Sequence, residues 1–278
     1  MMTGARETSS ASGPSPSATK MSARTPASTA TPKTTLAVVR EDVIRCVLCP
    51  RLRSYCQRIA RDKKAAHRDE TYWGRPVPGF GDPQARVLIV GLAPAAHGAN
   101  RTGRVFTGDG SGDFLMRALH ASGFANIPTS RHVGDGLALR DAYILAVVRC
   151  APPDNKPTPI EIARCRMHLR AELSALPHVT VVVALGRIAW DGYLAYRREE
   201  DARHESMGMT PTGKVAASTP RGPKPAFGHG AVFRPGTALP SLLGSYHPSR
   251  QNTNTGRLTP GMLDEIFARA RRLVTEPA

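Results

Sequence analysis

The sequence predicts an α/β fold, a three-layer αβα arrangement around a central parallel sheet of about four strands. Apolar runs stand at Arg86–Val90, Ala142–Val148 and Val179–Leu185, with a shorter one at Leu242–Tyr246. Their length and lack of alternation are those of strands covered on both faces. Helical patterning fills the intervals, so the chain alternates strand and helix. Right-handed crossovers then bring the loops that begin at 91, 149, 186 and 247 to one edge of the sheet, where open α/β sheets hold their ligands.

Taken in order, Val38 to Ala60 reads as a basic helical stretch interrupted at Cys46-Val-Leu-Cys49-Pro50. Arg61 to Glu70 is almost wholly charged and fits a solvated helix or loop. Tyr72 to Pro83 is rich in Gly, Pro and aromatics, a fixed irregular segment. The first strand opens into the small-residue loop Gly91–Gly112, and a helix is expected from Asp113 to Ala121, ended by Ser122-Gly123. The second strand runs into Arg149-Cys-Ala-Pro-Pro-Asp-Asn-Lys-Pro-Thr-Pro159, whose prolines exclude regular structure. Thr158 then caps a helix with Pro159 at its first position. The third strand turns at Gly186 into a helix to about 198. A long excursion is expected over about 199–230, and Pro260 to Arg272 forms a terminal amphipathic helix.

The chain has 278 residues, and positions 1–34 contain no Leu, Ile, Val or Phe. That tail has too little apolar surface to offset its ordering entropy, and it is expected to be disordered. Residues 35–278 suffice for one domain. No stretch approaches the roughly 20 apolar residues of a membrane span. The N-terminus lacks the apolar core of a secretion signal, so a cytoplasmic location is expected. Formal net charge is +16, nearly all of it outside the tail. This points to nucleic acid as a partner through phosphate attraction, although arginine-rich composition also occurs in proteins that never meet DNA.

The loop Gly91–Gly112 carries His97, Asn100, Arg101, Arg104 and Asp109 among six glycines. It lacks the Gly-Lys-Ser/Thr of a P-loop and the spacing of a dinucleotide fingerprint. Five cysteines, in a chain with no sign of secretion, argue against a disulfide framework. Cys46, Cys49, Cys150 and Cys165 have the spacing C-x2-C, a long gap, then C-x14-C. Four thiolates suit structural zinc or a [4Fe–4S] cluster, and spacing does not separate the two. Cys56 is left as a spare.

Four segments together, Gly91-Leu-Ala-Pro-Ala-Ala-His-Gly98, Arg104-Val-Phe-Thr-Gly-Asp109, Arg149–Lys156 and His247-Pro-Ser-Arg-Gln-Asn252, resemble the family 5 uracil-DNA glycosylases. The likeness covers roughly residues 40–272. It implies a uracil-DNA glycosylase-like fold and hydrolysis of the N-glycosidic bond of uracil in duplex DNA. Other deaminated or damaged bases, such as hypoxanthine and ethenocytosine, are implied as substrates too. It also implies a [4Fe–4S] cluster on the four cysteines, with a structural role, and flipping of the target nucleotide into a pocket.

Breaking a C–N bond develops positive charge on the sugar and negative charge on the departing base. The resemblance puts Asp109 at the sugar and water, with capping of the following helix as its competing use. It puts His247 at the base carbonyl and Phe106 against the base, while Asn155 helps to position the substrate. Gly91, Ala93, His97 and Ala146 complete the base pocket. The sequence departs from the wider superfamily at Leu92-Ala93-Pro94-Ala95 and at Ala146, where relatives carry polar residues. Arg250, Gln251, Asn252 and Asn254 resemble a minor-groove loop, and Arg101, Arg104 and Lys156 are expected to meet phosphates. A monomer suits such an enzyme. Two rival readings are a non-catalytic iron–sulfur DNA-binding protein and an unrelated α/β nucleotide hydrolase with structural zinc.

Overall fold

A computed structural model describes residues 1, 4, 35–207, 224–235 and 239–275. Every helix and strand among the described residues lies in the unit Lys33–Ala278. The expected disordered tail lies outside the described residues, apart from Met1 and Gly4.

The elements in chain order are α1 (Leu36–Arg45), α2 (Pro50–Asp62), β1 (Phe80–Gly81), β2 (Val87–Gly91), α3 (Ala99–Thr102), α4 (Gly110–Ala121), β3 (Ala142–Ala146), α5 (Pro159–Ser174), β4 (Val181–Leu185), α6 (Arg187–Ser206), β5 (Val232–Phe233), β6 (Ser241–Ser245), α7 (Arg250–Asn254) and α8 (Pro260–Thr275). Four parallel strands form the centre of the sheet, as the apolar runs predict, and they run in the order β3-β2-β4-β6. Two-residue antiparallel strands, β1 beside β3 and β5 beside β6, extend this into a six-stranded mixed sheet. They are too short to show a period in sequence.

Every residue of β2, β3 and β4 is buried, and successive side chains serve opposite layers. Val87 and Ile89 join a core with Leu115, Leu119, Leu263 and Phe267 from α4 and α8. Leu88 and Val90 join the other, with Leu52, Leu169, Trp190 and Leu194 from α2, α5 and α6. Burying one such side chain stabilises by roughly 1.5–3 kcal/mol, which fixes the register of the sheet.

Helix ends follow local chemistry. Thr158 Oγ1 accepts from the Glu161 N–H while Glu161 Oε2 accepts from the Thr158 N–H, a capping box with Pro159 at the first position. The break between α1 and α2 falls at Cys46–Cys49, where it was expected. Three differences from the sequence reading bear on the loops. Helix α4 starts at Gly110 because Asp109 caps it, the stretch 199–206 continues α6, and a short helix, α7, follows His247. Residues 208–223 of the expected excursion lie outside the described set. The irregular segment 72–83 is tied to the sheet through a buried ion pair, Arg149–Glu172. Val77 N–H donates to the Arg149 carbonyl at 2.7 Å, and Gly79 N–H donates to Glu172 Oε1 at 2.8 Å.

Candidate active site

A cavity of about 800 Å³ opens at the carboxyl edge of the sheet. The loops after β2, β3 and β6 build it, at the edge the crossover argument selects. Asp109, His247, Phe106, Asn155, His97 and Ala146 all face this one space, although the chain separates them by up to about 150 residues.

Asp109 does two jobs. Its Oδ1 accepts from the Gly112 N–H at 2.9 Å and so caps α4. The second oxygen stands over Gly98, where a Cβ would lie 2.1 Å from Oδ2. Burial raises the carboxyl pKa above its ordinary value, against the pull of the Gly112 and Ser111 N–H groups and of the Arg250 charge. Capping and lining the cavity are thus compatible, because the two oxygens serve different neighbours.

His247 follows β6 and is held by its own loop. Its carbonyl accepts from the Ser249 N–H at 2.8 Å and from Asn252 Nδ2 at 2.9 Å. Its ring keeps some accessible surface toward the cavity, yet protein encloses it, and burial pushes its pKa down to about 4. The imidazole is therefore neutral at pH 7 and donates through one N–H. Phe106 packs against it, with ring centroids 5.8 Å apart and planes tilted by 32°. That ring occupies the space a side chain would need at Gly91, where a Cβ would lie 2.8 Å from Cε2. Phe106 itself takes φ +49°, an uncommon value for a bulky residue, in the turn that leads to Asp109.

Asn155 and Asp154 both adopt left-handed backbone, φ +57° and +53°, in a short 3-10 turn, and both are exposed at the cavity mouth. Ala146 and Gly91 are buried at the ends of adjacent strands, while Ala93 and His97 are half-buried on the loop after β2. His97 Nδ1 is 3.0 Å from the Tyr72 hydroxyl, a partner supplied by the irregular segment. Burial, with help from Lys64, His67 and Arg101, lowers the pKa of His97.

The expected phosphate contacts divide. Arg101 is buried: Nε donates to the His97 carbonyl and Nη2 to the Gly108 carbonyl, each at 2.8 Å, while Nη1 pairs with Glu70. Arg104 is buried as well, donating to Thr107, Ser130 and Asp135, the last at 2.7 Å. Both guanidinium groups are used to hold the loop, which corrects their expected place at the DNA surface. Asn252 likewise spends its amide on the His247 turn. Lys156, Arg250 and Gln251 are exposed, and Arg250 passes over Gly110, its Nε 3.5 Å from where a Cβ would stand.

Some residues at this edge escaped the sequence reading. Tyr55, Lys64 and His67 line the cavity mouth from α2 and the turn after it. No local signal marks them. Arg187 and Arg257 line an adjoining cavity of about 390 Å³ that shares Leu92 and His247 with the first. Arg187 lies over the Phe227 ring and Arg257 over Tyr246. Arg187 was legible, since it follows the strand-end Gly186.

Cys46, Cys49, Cys150 and Cys165 line one narrow cavity between α2, α5 and the loop after β3. The Arg149 N–H donates to Cys165 Sγ at 3.3 Å, as it would to a ligating sulfur. Burial raises the Cys165 thiol to about 12, and ligation of a metal would release that proton. Among the described residues no three His, Cys, Asp or Glu groups draw in tightly enough for a single ion. The four cysteines line one cavity, and an all-sulfur donor set fits a thiolate-bound metal group. Cys56 is buried outside that cavity, its Sγ 3.6 Å from the Ala151 carbonyl.

Residues 78–271 match the family model described as the uracil DNA glycosylase superfamily. The chain is 48% identical over 229 residues to a type-5 uracil-DNA glycosylase of Mycobacterium bovis, covering 82% of this chain and 78% of that protein. It is 48% identical over 231 residues to a type-5 uracil-DNA glycosylase of Thermus thermophilus, covering 82% and 93%. A third type-5 uracil-DNA glycosylase, from Pyrobaculum aerophilum, is 42% identical over 228 residues, covering 82% and 88%.

Proposed function

This chain belongs to the uracil DNA glycosylase superfamily, within its type-5 group, and from that premise we propose that it removes uracil from DNA by hydrolysing the N-glycosidic bond. The observation that carries the reading is the meeting of Asp109 and His247 in one cavity, beside Phe106. The bond between C1′ and the base nitrogen breaks, and its electron pair leaves with the base. Neutral His247 donates a hydrogen bond to the base carbonyl, where that charge collects. Water adds at C1′, and the Asp109 carboxylate orients it and steadies the cationic sugar. The proton lost by water balances the charge of the departing base, and an abasic sugar remains.

The cavity of about 800 Å³ leaves room for larger bases. Ala93 and Ala146 present no polar group to reject them, which supports hypoxanthine and ethenocytosine as further substrates. Asn155 positions the nucleotide from the mouth. Lys156, Arg250 and Gln251 are proposed DNA contacts, joined by Arg187 and Arg257.

Cys46, Cys49, Cys150 and Cys165 would hold a [4Fe–4S] cluster, a reading supported by their common cavity and by the family 5 resemblance. Bound there, it would act as a covalent staple between the α1–α2 turn and the loop and helix after β3. We further read residues 35–278 as one catalytic domain, acting as a monomer in the cytoplasm on duplex DNA. Among the described residues no helix is long and apolar enough to cross a membrane.

The test is alkali-induced nicking of duplexes with a single uracil, hypoxanthine or ethenocytosine, under single turnover. Asp109→Asn keeps an oxygen for the α4 cap and loses the charge. It is expected to slow every substrate by roughly 10²–10³-fold, the usual effect of losing a preorganised group. His247→Ala should be severe on uracil and milder on hypoxanthine, which can leave protonated. Wild-type rates in a folded Asp109→Asn protein would refute this assignment.

A further inference from the structure

Helix α2 forms a ridge beside the cavity. Tyr55 on one side of it lines the catalytic cavity, while Arg53, Gln57, Ala60 and Arg61 line a separate groove of about 350 Å³. Positions 53, 57, 60 and 61 follow helical spacing and so make one stripe. The opposite wall of the groove is Trp73, Gly74 and Arg75, and no acidic residue lines it.

The cations of this groove are placed rather than scattered. Arg53 Nη1 donates to the Gly74 carbonyl at 3.2 Å and so bridges the two walls. Arg75 lies over the Trp73 ring, 5.8 Å from its centroid. Arg61 and Arg75 are exposed, and among the described residues neither has a carboxylate partner at ion-pair distance. The arginines of the catalytic loop do the reverse and are spent internally.

The far wall is fixed to the catalytic loop. Trp73 N–H donates to the Arg101 carbonyl at 2.8 Å and Gly74 N–H to the Asn100 carbonyl at 3.0 Å. The indole fills the space beside Gly103, where a Cβ would lie 2.9 Å from Cδ2. Beyond α2, Lys64 returns to the cavity mouth. A row of positive charge thus begins at the site of chemistry and continues along a groove that is rigid with respect to it.

We propose that the groove between α2 and Trp73–Arg75 binds the phosphate backbone of the duplex flanking the base being removed. The proposal rests on the glycosylase reading and extends its DNA interface to a second, sequence-independent contact. From Arg53 to Arg61 the helix rises by about 12 Å. A groove of that length accommodates a short run of phosphates on one strand. Guanidinium groups held by an aromatic face and by a backbone carbonyl suit phosphate oxygens and carry no base information.

The experiment uses the full-length, metal-loaded protein and a lesion-free 30-base-pair duplex, with binding followed by fluorescence anisotropy across a salt series. The double variant Arg61→Gln/Arg75→Gln should weaken binding and lower the log–log salt slope by about 2, since each phosphate contact contributes about 0.9. Gln57→Lys should raise the slope by about 1. Arg198→Gln/Arg272→Gln removes the same charge from exposed positions outside the groove and should leave the slope unchanged. Single-turnover cleavage of a uracil duplex by the Arg198/Arg272 control at saturating enzyme should stay within twofold of wild type. A wild-type slope in the Arg61/Arg75 variant, or an equal loss in the Arg198/Arg272 control, overturns the proposal. Failure of the wild-type protein to cleave would instead sink the glycosylase reading, while the slopes still report on the groove.

Discussion

Gly98 leaves open the space that one oxygen of Asp109 needs: a Cβ there would stand 2.1 Å from Oδ2. The opposite oxygen is tied to the Gly112 N–H, so the carboxylate cannot yield without loosening the α4 cap. Gly98→Ala is therefore expected to slow cleavage about 10²-fold, the scale of a misplacement near 1 Å. It should also cost roughly 1 kcal/mol of stability through the cap. Single-turnover rates measured beside urea melts check both. A loss of stability at full rate would assign the pair to folding alone.

Because burial raises the Asp109 pKa, protonation removes its charge at a higher pH than for an ordinary aspartate. The acid limb of the single-turnover profile should be shifted upward in the same direction, and Asp109→Asn should abolish it. The burial of neutral His247 adds no limb between pH 5 and 8.

His247 should instead appear in the stability profile. Its folded pKa is about 4, below the ordinary 6.5 of the unfolded chain, so the unfolded state binds the extra proton between these values. Stability is expected to fall as pH drops from about 6.5 toward 4. His168, also lowered to about 4 by burial, contributes in the same direction. His247→Gln should flatten the dependence in part, seen as a smaller shift of the urea midpoint between pH 7 and pH 5.

Arg104 and Arg250 should fail in opposite ways. Arg104→Gln breaks a buried pair with Asp135 and should cost about 3–5 kcal/mol of stability. Arg250→Ala should leave the melt unchanged, weaken uracil-duplex binding and reduce the salt slope by about 1. Equal melts for the two variants would contradict the buried role of Arg104.

Loss of Cys46, Cys49, Cys150 or Cys165 to alanine should remove iron and soluble protein together. Cys56→Ala is expected to keep the iron, because that thiol stands outside the cavity the four share. Its cost is a small cavity beside Ala151 and a modestly lower melting temperature. Full iron content in Cys150→Ala would refute the ligand set.

The sequence alone determined the parallel core of the sheet, because runs such as Val87–Val90 and Val181–Leu185 have no other way to bury both faces. It also determined the edge that carries the site, since crossover handedness leaves one choice for the loops after β2, β3 and β6. Cys46, Cys49, Cys150 and Cys165, and the motifs holding Asp109 and His247, were legible as residue types at set spacings. Only tertiary structure decided how each polar group is spent. Arg101 and Arg104 look in sequence like Arg250, yet the first two turn inward because Glu70 and Asp135 wait there, across about 31 residues each. Tyr55 and Lys64 reach the cavity from α2 and the turn after it, and Arg61 and Arg75 share a groove because Trp73 and Gly74 dock on the backbone of the loop after β2. Such partners are chosen by where the packed layers bring the chain back to itself, and no local periodicity carries that information.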